Sequence, residues 1–570
     1  MKRYFLSIIT MALVTTSCNL DFAPSNEMTP EQLKKDPGGA IFITDGNYSL
    51  FKDNYDHAGY ASRNSYVRHF FQMAEFPSDN TSLCYATIDP LYEAASYKSN
   101  WTLQNVQAFW WFAYRIIYGA NSVIEFVPDG ASIDSDYLKG ENYFLRAICH
   151  LHLANLYSKP YSHGRDNLGI VIRRSTDTSV TKRESVGATY DQIVEDLLNA
   201  IRLMEKGKRR GNAGYASKEA AQGLLSRVYL YMEENQKVID LVNSMLDGAA
   251  PASKLEGKET LPDYFAKALS SKETLWAVAH TAAETKAQSS IGSMYLTHTY
   301  ESGLSIGWGE IGPSDPLKNL YERYPNDIRY GYVRPDYDKF RPETDSMIYW
   351  PVFHADNDFR FTENRYVTYN QITGETSFTE GSSKIVVDKI ITEYGYKEYY
   401  INWEGERQKV RFNRALSRKA ALSTIPSYFV TKFAYQDGDP MLSSPVMIRW
   451  AELILNRAEA YAKLGQDQKA LDDVNVLRTR AGLSGDELFT LTNMGSKGYT
   501  SVLDVVLDER RLELAFEGHR MFDLYRNKRD MDRRFAGAQP WEIVKWNDNK
   551  IQYPIPFYEI SVSGIEQNPR

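Results

Sequence analysis

The residues with most chemical potential lie near the C-terminus, where Glu509, Glu513 and Glu517 stand four apart. On one helix they would share a face, with successive Cβ atoms ~5–6 Å apart. That is close to the ~5–5.5 Å carboxylate separation of a retaining glycosidase, so hydrolysis of a sugar linkage is one chemistry open to this stretch. The same stretch holds Arg510, Arg511, Arg520, Asp523 and Arg526. Interleaved arginines can instead neutralise the acids in an ion network that holds the helix to its neighbours, and a catalytic pair usually approaches its bond from separate elements. We therefore read Glu509, Glu513, Glu517, Arg520, Asp523 and Arg526 as a structural ion network.

Other suggestive patterns fail a local test. Gly303 to Gly307 (GLSIG) has the form of a nucleophile elbow and Gly307 to Gly312 (GWGEIG) that of a dinucleotide loop. Both need a helix directly after them, and Pro313 and Pro316 argue against one. The loop does offer Trp308, either as an exposed face for a pyranose or as a buried turn residue. His150 and His152, two apart on a helix, would point to different faces and cannot share a metal ion, which leaves packing roles. Calcium at Asp437-Gly438-Asp439 is weakly motivated. Besides Cys18, only Cys84 and Cys149 are present, too few for a disulfide framework, and they read as buried free thiols. No catalytic residue, metal or cofactor is expected.

Three helices would position the acidic stretch. In the first, Ala451, Ile454, Leu455, Ala458, Tyr461 and Ala462 recur at helical spacing, and Gly465 ends it as a left-handed cap would. Ala470, Val474, Leu477 and Ala481 repeat the stripe, and small Ala458 and Ala470 let two antiparallel helices approach as in a tetratricopeptide-type hairpin. The third opens at Ser501, three residues before Asp504, and buries Leu503, Leu507, Leu514 and Phe516. Earlier helical stripes include Trp111, Tyr114, Ile117, Ala120 and Ile124, and then Ala220, Leu224, Val228 and Tyr231. From about Gly248 to Pro440 the chain is richer in Gly, Pro and Tyr. The alternating runs KEYYINW and RQKVRF around Glu404-Gly405-Glu406 read as a hairpin. The expected fold is mostly α: a degenerate tetratricopeptide-type α-solenoid scaffold with a loop-rich second part containing short β-hairpins.

With 570 residues, 43% hydrophobic and 24% charged, the chain can bury a large core. A net charge of −7 gives no footprint for phosphate backbones and argues against nucleic acid. The 40 Tyr and 10 Trp supply flat amphipathic rings suited to sugar faces. At the start, Lys2 and Arg3 precede an apolar run from Tyr4 to Val14 and then Thr15-Thr16-Ser17-Cys18. The run is short of the ~20 residues of a spanning helix and reads as a signal peptide. Cys18 resembles a lipobox cysteine, with Thr15 where Leu is commoner; ordinary secretion of a soluble protein is the alternative.

The wording of RWAELILNRAEAYAKLG, VNVLRTRAG and ERRLELAFEGHRMFDLYR resembles the C-terminal half of the SusD/RagB family, surface glycan-binding lipoproteins of the Bacteroidetes. The helix with Glu141, Arg146 and Ala147 and the closing IPFYEI and QNP resemble it too, so the similarity spans essentially the whole mature chain. The resemblance implies a non-enzymatic, lipid-anchored outer-membrane protein, exposed at the cell surface. It would capture oligosaccharide and deliver it to a SusC-like TonB-dependent transporter, sitting over that barrel as a hinged lid. It also implies glycan-binding aromatics at Tyr97, Trp101, Tyr300 and Trp308; Asp79, Asn80 and Asn100 lie beside the first pair and can hydrogen-bond hydroxyls, with capping of the loop the alternative for Asp79 and Asn80. The implied organisation is signal peptide 1–17, lipidated N-terminus and tether 18–36, N-terminal helical part 37–248, loop-rich ligand-presenting part 249–440 and C-terminal helical part 441–570. A secreted glycoside hydrolase using the helical carboxylates, and a peptide-binding uptake lipoprotein of the same architecture, are the alternatives.

Overall fold

In a computed structural model, which describes residues 38–53, 65–84, 89–284, 289–299, 305–335, 347–349, 351–354, 361–364, 367–369, 373–391, 397–412, 428–535 and 537–569, the apolar periodicities become helices. In chain order the main ones are α1 (Gly39–Leu50), α2 (Tyr66–Ala74), α3 (Gln104–Phe126), α4 (Ile133–Tyr157), α5 (Val186–Leu203), α6 (Lys218–Tyr231) and α7 (Asn235–Leu246). After the middle of the chain come α8 (Trp450–Lys463), α9 (Asp467–Arg480), α10 (Val502–Glu513), α11 (Arg520–Arg526) and α12 (Phe557–Ser563). Serine starts many of them. The hydroxyls of Ser65, Ser132, Ser185, Ser217 and Ser501 each accept a hydrogen bond from a backbone N–H of the first turn, satisfying a donor that the helix cannot.

Successive helices pack on one another: α3 on α4, α4 on α5, α5 on α6, α6 on α7, and α8 on α9. This is the helical-hairpin scaffold expected from the sequence. Ala458 and Ala470 are both fully buried between α8 and α9, and Gly465 turns between them with φ +69°. A side chain at Gly119 of α3 would collide with the Asn47 carboxamide of α1, so only glycine permits that approach.

The third C-terminal helix differs from expectation. It stops at Glu513, and Phe516 (φ +71°) and Gly518 (φ +78°) form a turn before α11 begins. Glu517 therefore lies in a turn, off the face that carries Glu509 and Glu513. Glu75, just after α2, fixes this turn. Its buried carboxylate accepts hydrogen bonds from the backbone N–H groups of Phe516 (3.0 Å) and Gly518 (2.8 Å).

The middle of the chain is more extensively β than a pair of short hairpins. Strands Met347–Tyr349, Val367–Tyr369, Thr376–Glu380, Ser383–Ile391, Lys397–Trp403, Glu406–Phe412, Pro351–His354 and Phe361–Asn364 follow one another in an antiparallel sheet. The expected turn at Glu404-Gly405 joins Trp403 to Glu406 in register, both turn residues having positive φ as a tight hairpin requires. Two shorter ladders tie distant parts of the chain: Thr81–Leu83 with Ile311–Pro313, and Val446–Arg449 with Thr274–Ala277.

The glycine motifs need one correction. A helix does follow the second, at Asp315–Glu322, capped by Ser314 with Pro316 in its first turn, where a missing N–H costs nothing. The motif still lacks dinucleotide geometry, because its last glycine is inside the strand Ile311–Pro313 rather than between strand and helix. His150 and His152 are core residues. The His152 ring stacks on Phe70 and its Nδ1 lies 2.8 Å from the Tyr66 hydroxyl, while His150 Nε2 accepts from the Arg173 N–H. Cys149 is buried and Cys84 partly buried, and among the described residues neither forms a disulfide.

Candidate functional site

The acidic stretch forms a buried hub of charge. Arg329 Nη1 donates to Glu509 (2.6 Å) and Glu513 (2.9 Å), and the rest of its guanidinium grips Asp327. Arg449 donates to Glu513 (2.6 Å), Glu273 (2.8 Å) and Glu517 (2.7 Å). Arg480 pairs with Glu513 and Glu273, Arg478 with Glu509, and Lys432 with Glu517. The cations thus come from other elements, not from the interleaved Arg510 and Arg511 of α10. Arg510 turns to Asp523 and Asn456, and Arg526 to Glu459 and Asp523, in a second buried cluster.

This hub is unsuited to glycoside hydrolysis. Burial pushes the Glu513 carboxyl up, but Arg480, Arg449 and Arg329 outweigh it and hold the group well below the usual range. Glu517 is likewise held down by Arg449 and Lys432 against its burial. A glycosidase needs one carboxyl kept protonated, and Glu513 and Glu517 are driven the other way.

The residues expected to bind glycan separate into three places. Asp79 and Asn80 are buried. Arg520 grips the Asp79 carboxylate with Nε and Nη2 (2.8 and 3.0 Å), and Arg511 donates to Asn80 Oδ1 (2.9 Å) and the Asp79 carbonyl (2.7 Å). Burial raises the Asp79 carboxyl, but the two arginines more than offset it and leave it at about 2. Tyr97, in a left-handed conformation (φ +54°), spends its hydroxyl on Tyr525 (2.7 Å) and the Pro77 carbonyl. These groups brace the loop after α2 against α10 and α11; their polar atoms are taken.

Asn100 and Trp101 lie at the surface. Asn100 Oδ1 accepts from the Thr102 N–H and hydroxyl, and Trp101, 45% exposed, packs at 5.8 Å against Phe557 of α12. The Phe557 N–H donates to the Trp101 carbonyl (2.9 Å), which locks α12 to this corner. Phe557 and its neighbour Tyr558 are 48% and 62% exposed, so Trp101 and Phe557 form a two-ring shelf facing solvent, with Tyr558 exposed at the next position of α12. Trp308 occupies the third place, half-buried in a turn with Gly307 and Gly309 at positive φ, its N–H donating to the Ser293 carbonyl. Tyr300 and Cys18 lie outside the described residues. Among the described residues no group of three or more His, Cys, Asp or Glu could hold a metal ion, Asp437 and Asp439 included. No helix among them is long and apolar enough to cross a membrane.

A sequence model described as the SusD family matches residues 272–570, just over half of the chain. The chain belongs to the SusD family. A second family model, described as starch-binding associating with outer membrane, matches residues 55–230. Among curated relatives, the SusD-like protein P38 of Formosa agariphila is 22% identical over 427 residues, 74% of this chain and 72% of the relative. A SusD superfamily protein of Bacteroides thetaiotaomicron has a TM-score of 0.66 at 22% identity, covering 93% of this chain and 99% of its own. A laminarin binding SusD-like protein has a TM-score of 0.57 at 20% identity, with 93% and 98% covered.

In this SusD chain two sets of residues escaped sequence reasoning. Phe557 and Tyr558 were hidden inside the closing motif; their signal is two aromatics directly after a proline at the start of a short amphipathic run. Arg329, Arg449, Arg478, Arg480 and Lys432 carried no signal, because nothing in local spacing connects them to acids up to 207 residues away.

Proposed function

We propose that this SusD-family protein is a non-catalytic glycan-binding lipoprotein of the outer-membrane surface. It captures oligosaccharide and passes it to a SusC-like TonB-dependent transporter. The observation that carries the reading is the solvent-facing shelf of Trp101 and Phe557, with Asn100 directly before Trp101 in the chain: flat apolar rings near a polar group are what a sugar's C–H face and hydroxyls require. The family's starch-binding description and the laminarin-binding neighbour support a glucan as the first ligand to try. Cys18 supplies the lipid anchor and Trp308 a second stacking position. The test is calorimetry of the mature protein with laminarin and starch oligosaccharides. Trp101→Ala and Trp308→Ala should each weaken binding by ~1–3 kcal/mol, roughly 5- to 150-fold. Unaltered affinity in both folded variants removes these residues from the site, and no binding of either glucan removes glucan as the ligand.

A further inference from the structure

A pocket of about 150 Å³ opens beside α12, lined by Trp110, Tyr114 and Tyr118 of α3, by Arg173 and by Glu559 of α12. The three rings recur every fourth residue, so they share one face of α3 over about 12 Å. The wall opposite is the segment from Val171 to Thr178, and α3 holds it rigid. Tyr114 donates its hydroxyl to the Val171 carbonyl (2.8 Å), and Asn121 donates its amide to the carbonyls of Arg173 (3.2 Å) and Ser175 (2.7 Å). Glu125 accepts from the N–H and hydroxyl of Thr176 (2.7 and 2.8 Å). Asn121 is itself fixed by Arg146, which donates to its Oδ1 (2.7 Å). The cavity is thus preformed, and its walls use up most of the polar groups that build it.

Two groups are left over. The Glu559 carboxylate accepts no hydrogen bond among the described residues, although it is mostly buried, and burial pushes its carboxyl up against the opposing charge of Arg173. Arg173 commits Nη1 to the Asp177 carbonyl (3.0 Å), and its other guanidinium N–H groups are uncommitted. Asp177 is already occupied by the Ser179 N–H. The pocket therefore offers a ring surface, one acceptor and one donor. It is smaller than the ~300–1,000 Å³ of sites for larger ligands, which limits it to about one ring.

We propose that this pocket is a subsite for a single neutral pyranose, whose C–H face stacks on the α3 tyrosines while its hydroxyls donate to Glu559 and accept from Arg173. The proposal rests on the glycan-binding reading and adds a place to it, separate from the shelf. Glu559 and the shelf ring Phe557 share α12, so the two positions are neighbours on the surface.

Saturation-transfer-difference NMR on the full mature protein, with methyl glucoside and methyl galactoside as probes, tests it. Wild type should give a signal from at least one, and Tyr118→Ala and Glu559→Gln should each cut it at least about five-fold, the loss expected for one stacked ring or one hydrogen bond. Tyr118 is 40% exposed and the Glu559 change is isosteric, so both variants should melt with wild type. Absence of a wild-type signal, or signals untouched by both variants, overturns the subsite. A stronger signal from methyl glucosaminide, suppressed at a pH that removes its ammonium charge, overturns the neutral-sugar assignment. If the oligosaccharides bind in calorimetry while these variants have no effect, the subsite fails alone; if no oligosaccharide binds, the wider reading fails.

Discussion

Replacing Glu513 by Gln tests whether the buried hub stabilises the molecule. Glu513 is reached by three guanidinium groups, those of Arg329, Arg449 and Arg480, all buried. Summing three charge-assisted bonds at ~1.5–3 kcal/mol each overstates the cost, since such bonds are not additive. Each arginine also keeps another acid: Arg329 keeps Asp327 and Glu509, Arg449 keeps Glu273 and Glu517, and Arg480 keeps Glu273. The expected loss is therefore that of breaking one buried pair, ~3–5 kcal/mol. With an unfolding entropy near 2.1 cal/mol/K per residue, a chain of 570 residues should melt about 3–4 °C lower. Differential scanning fluorimetry or calorimetry reads this directly, and oligosaccharide affinity should not change. A melting point within about 1 °C of wild type would refute the argument, showing that desolvation cancels the attraction. A folded variant that binds glycan but has lost a measurable hydrolase activity would restore the catalytic reading.

The acid response follows from the same groups. Asp79 (about 2) and Glu513 are held below their ordinary values in the folded state, so the stability they contribute is present in full above about pH 5 and is lost progressively as pH falls, for Asp79 down through about 2. Asp79→Asn should lower stability at pH 7 by ~2 kcal/mol and flatten the acid limb of an unfolding profile; an unchanged limb contradicts the Arg520 and Arg511 pairing. Gly119→Ala should destabilise by ~1–3 kcal/mol in urea unfolding, because its Cβ would strike the Asn47 carboxamide, and a neutral result would mean that α1 shifts freely. Cys18→Ala should move the protein from the membrane fraction to the soluble fraction with its fold intact; unchanged fractionation sinks the anchor.

Helices and their starts were legible because they are local. The three-and-four spacing of Ala451 to Tyr461 and Ser501 before the first turn of α10 require no tertiary knowledge. The break after Glu513 was missed because Leu-Ala-Phe-Glu continues a helical pattern, and Gly518 was the stop signal passed over. The ion network was legible in kind and wrong in its partners: charge balance can be counted along a sequence, but which arginine reaches which carboxylate depends on the packing of α8, α9 and α10. Asp79 and Asn80 illustrate the reverse. A polar pair in a loop reads as ligand-facing until Arg511 and Arg520 arrive from more than 400 residues downstream. Trp101 was named through the family resemblance and not through any local spacing, and Phe557 was missed because only the fold brings it beside Trp101.

The bond between Glu75 and the turn after α10 has a consequence for how the molecule is made. Phe516 follows Glu75 by 441 residues, a gap of roughly 20–90 s at ~5–20 residues synthesised per second. Throughout that interval the Glu75 carboxyl has only its near neighbours Ser78 and Asn80 as partners and lacks the turn it fixes, and Thr81–Leu83 likewise awaits Ile311–Pro313. Local hairpins such as α3 with α4 can form as they emerge, whereas closure of the first segment is among the last events, slowed further by the entropy of such long loops. The nascent protein is thus exposed longest at its earliest residues, and whatever shields it before completion must hold the N-terminal end until the C-terminal turn arrives.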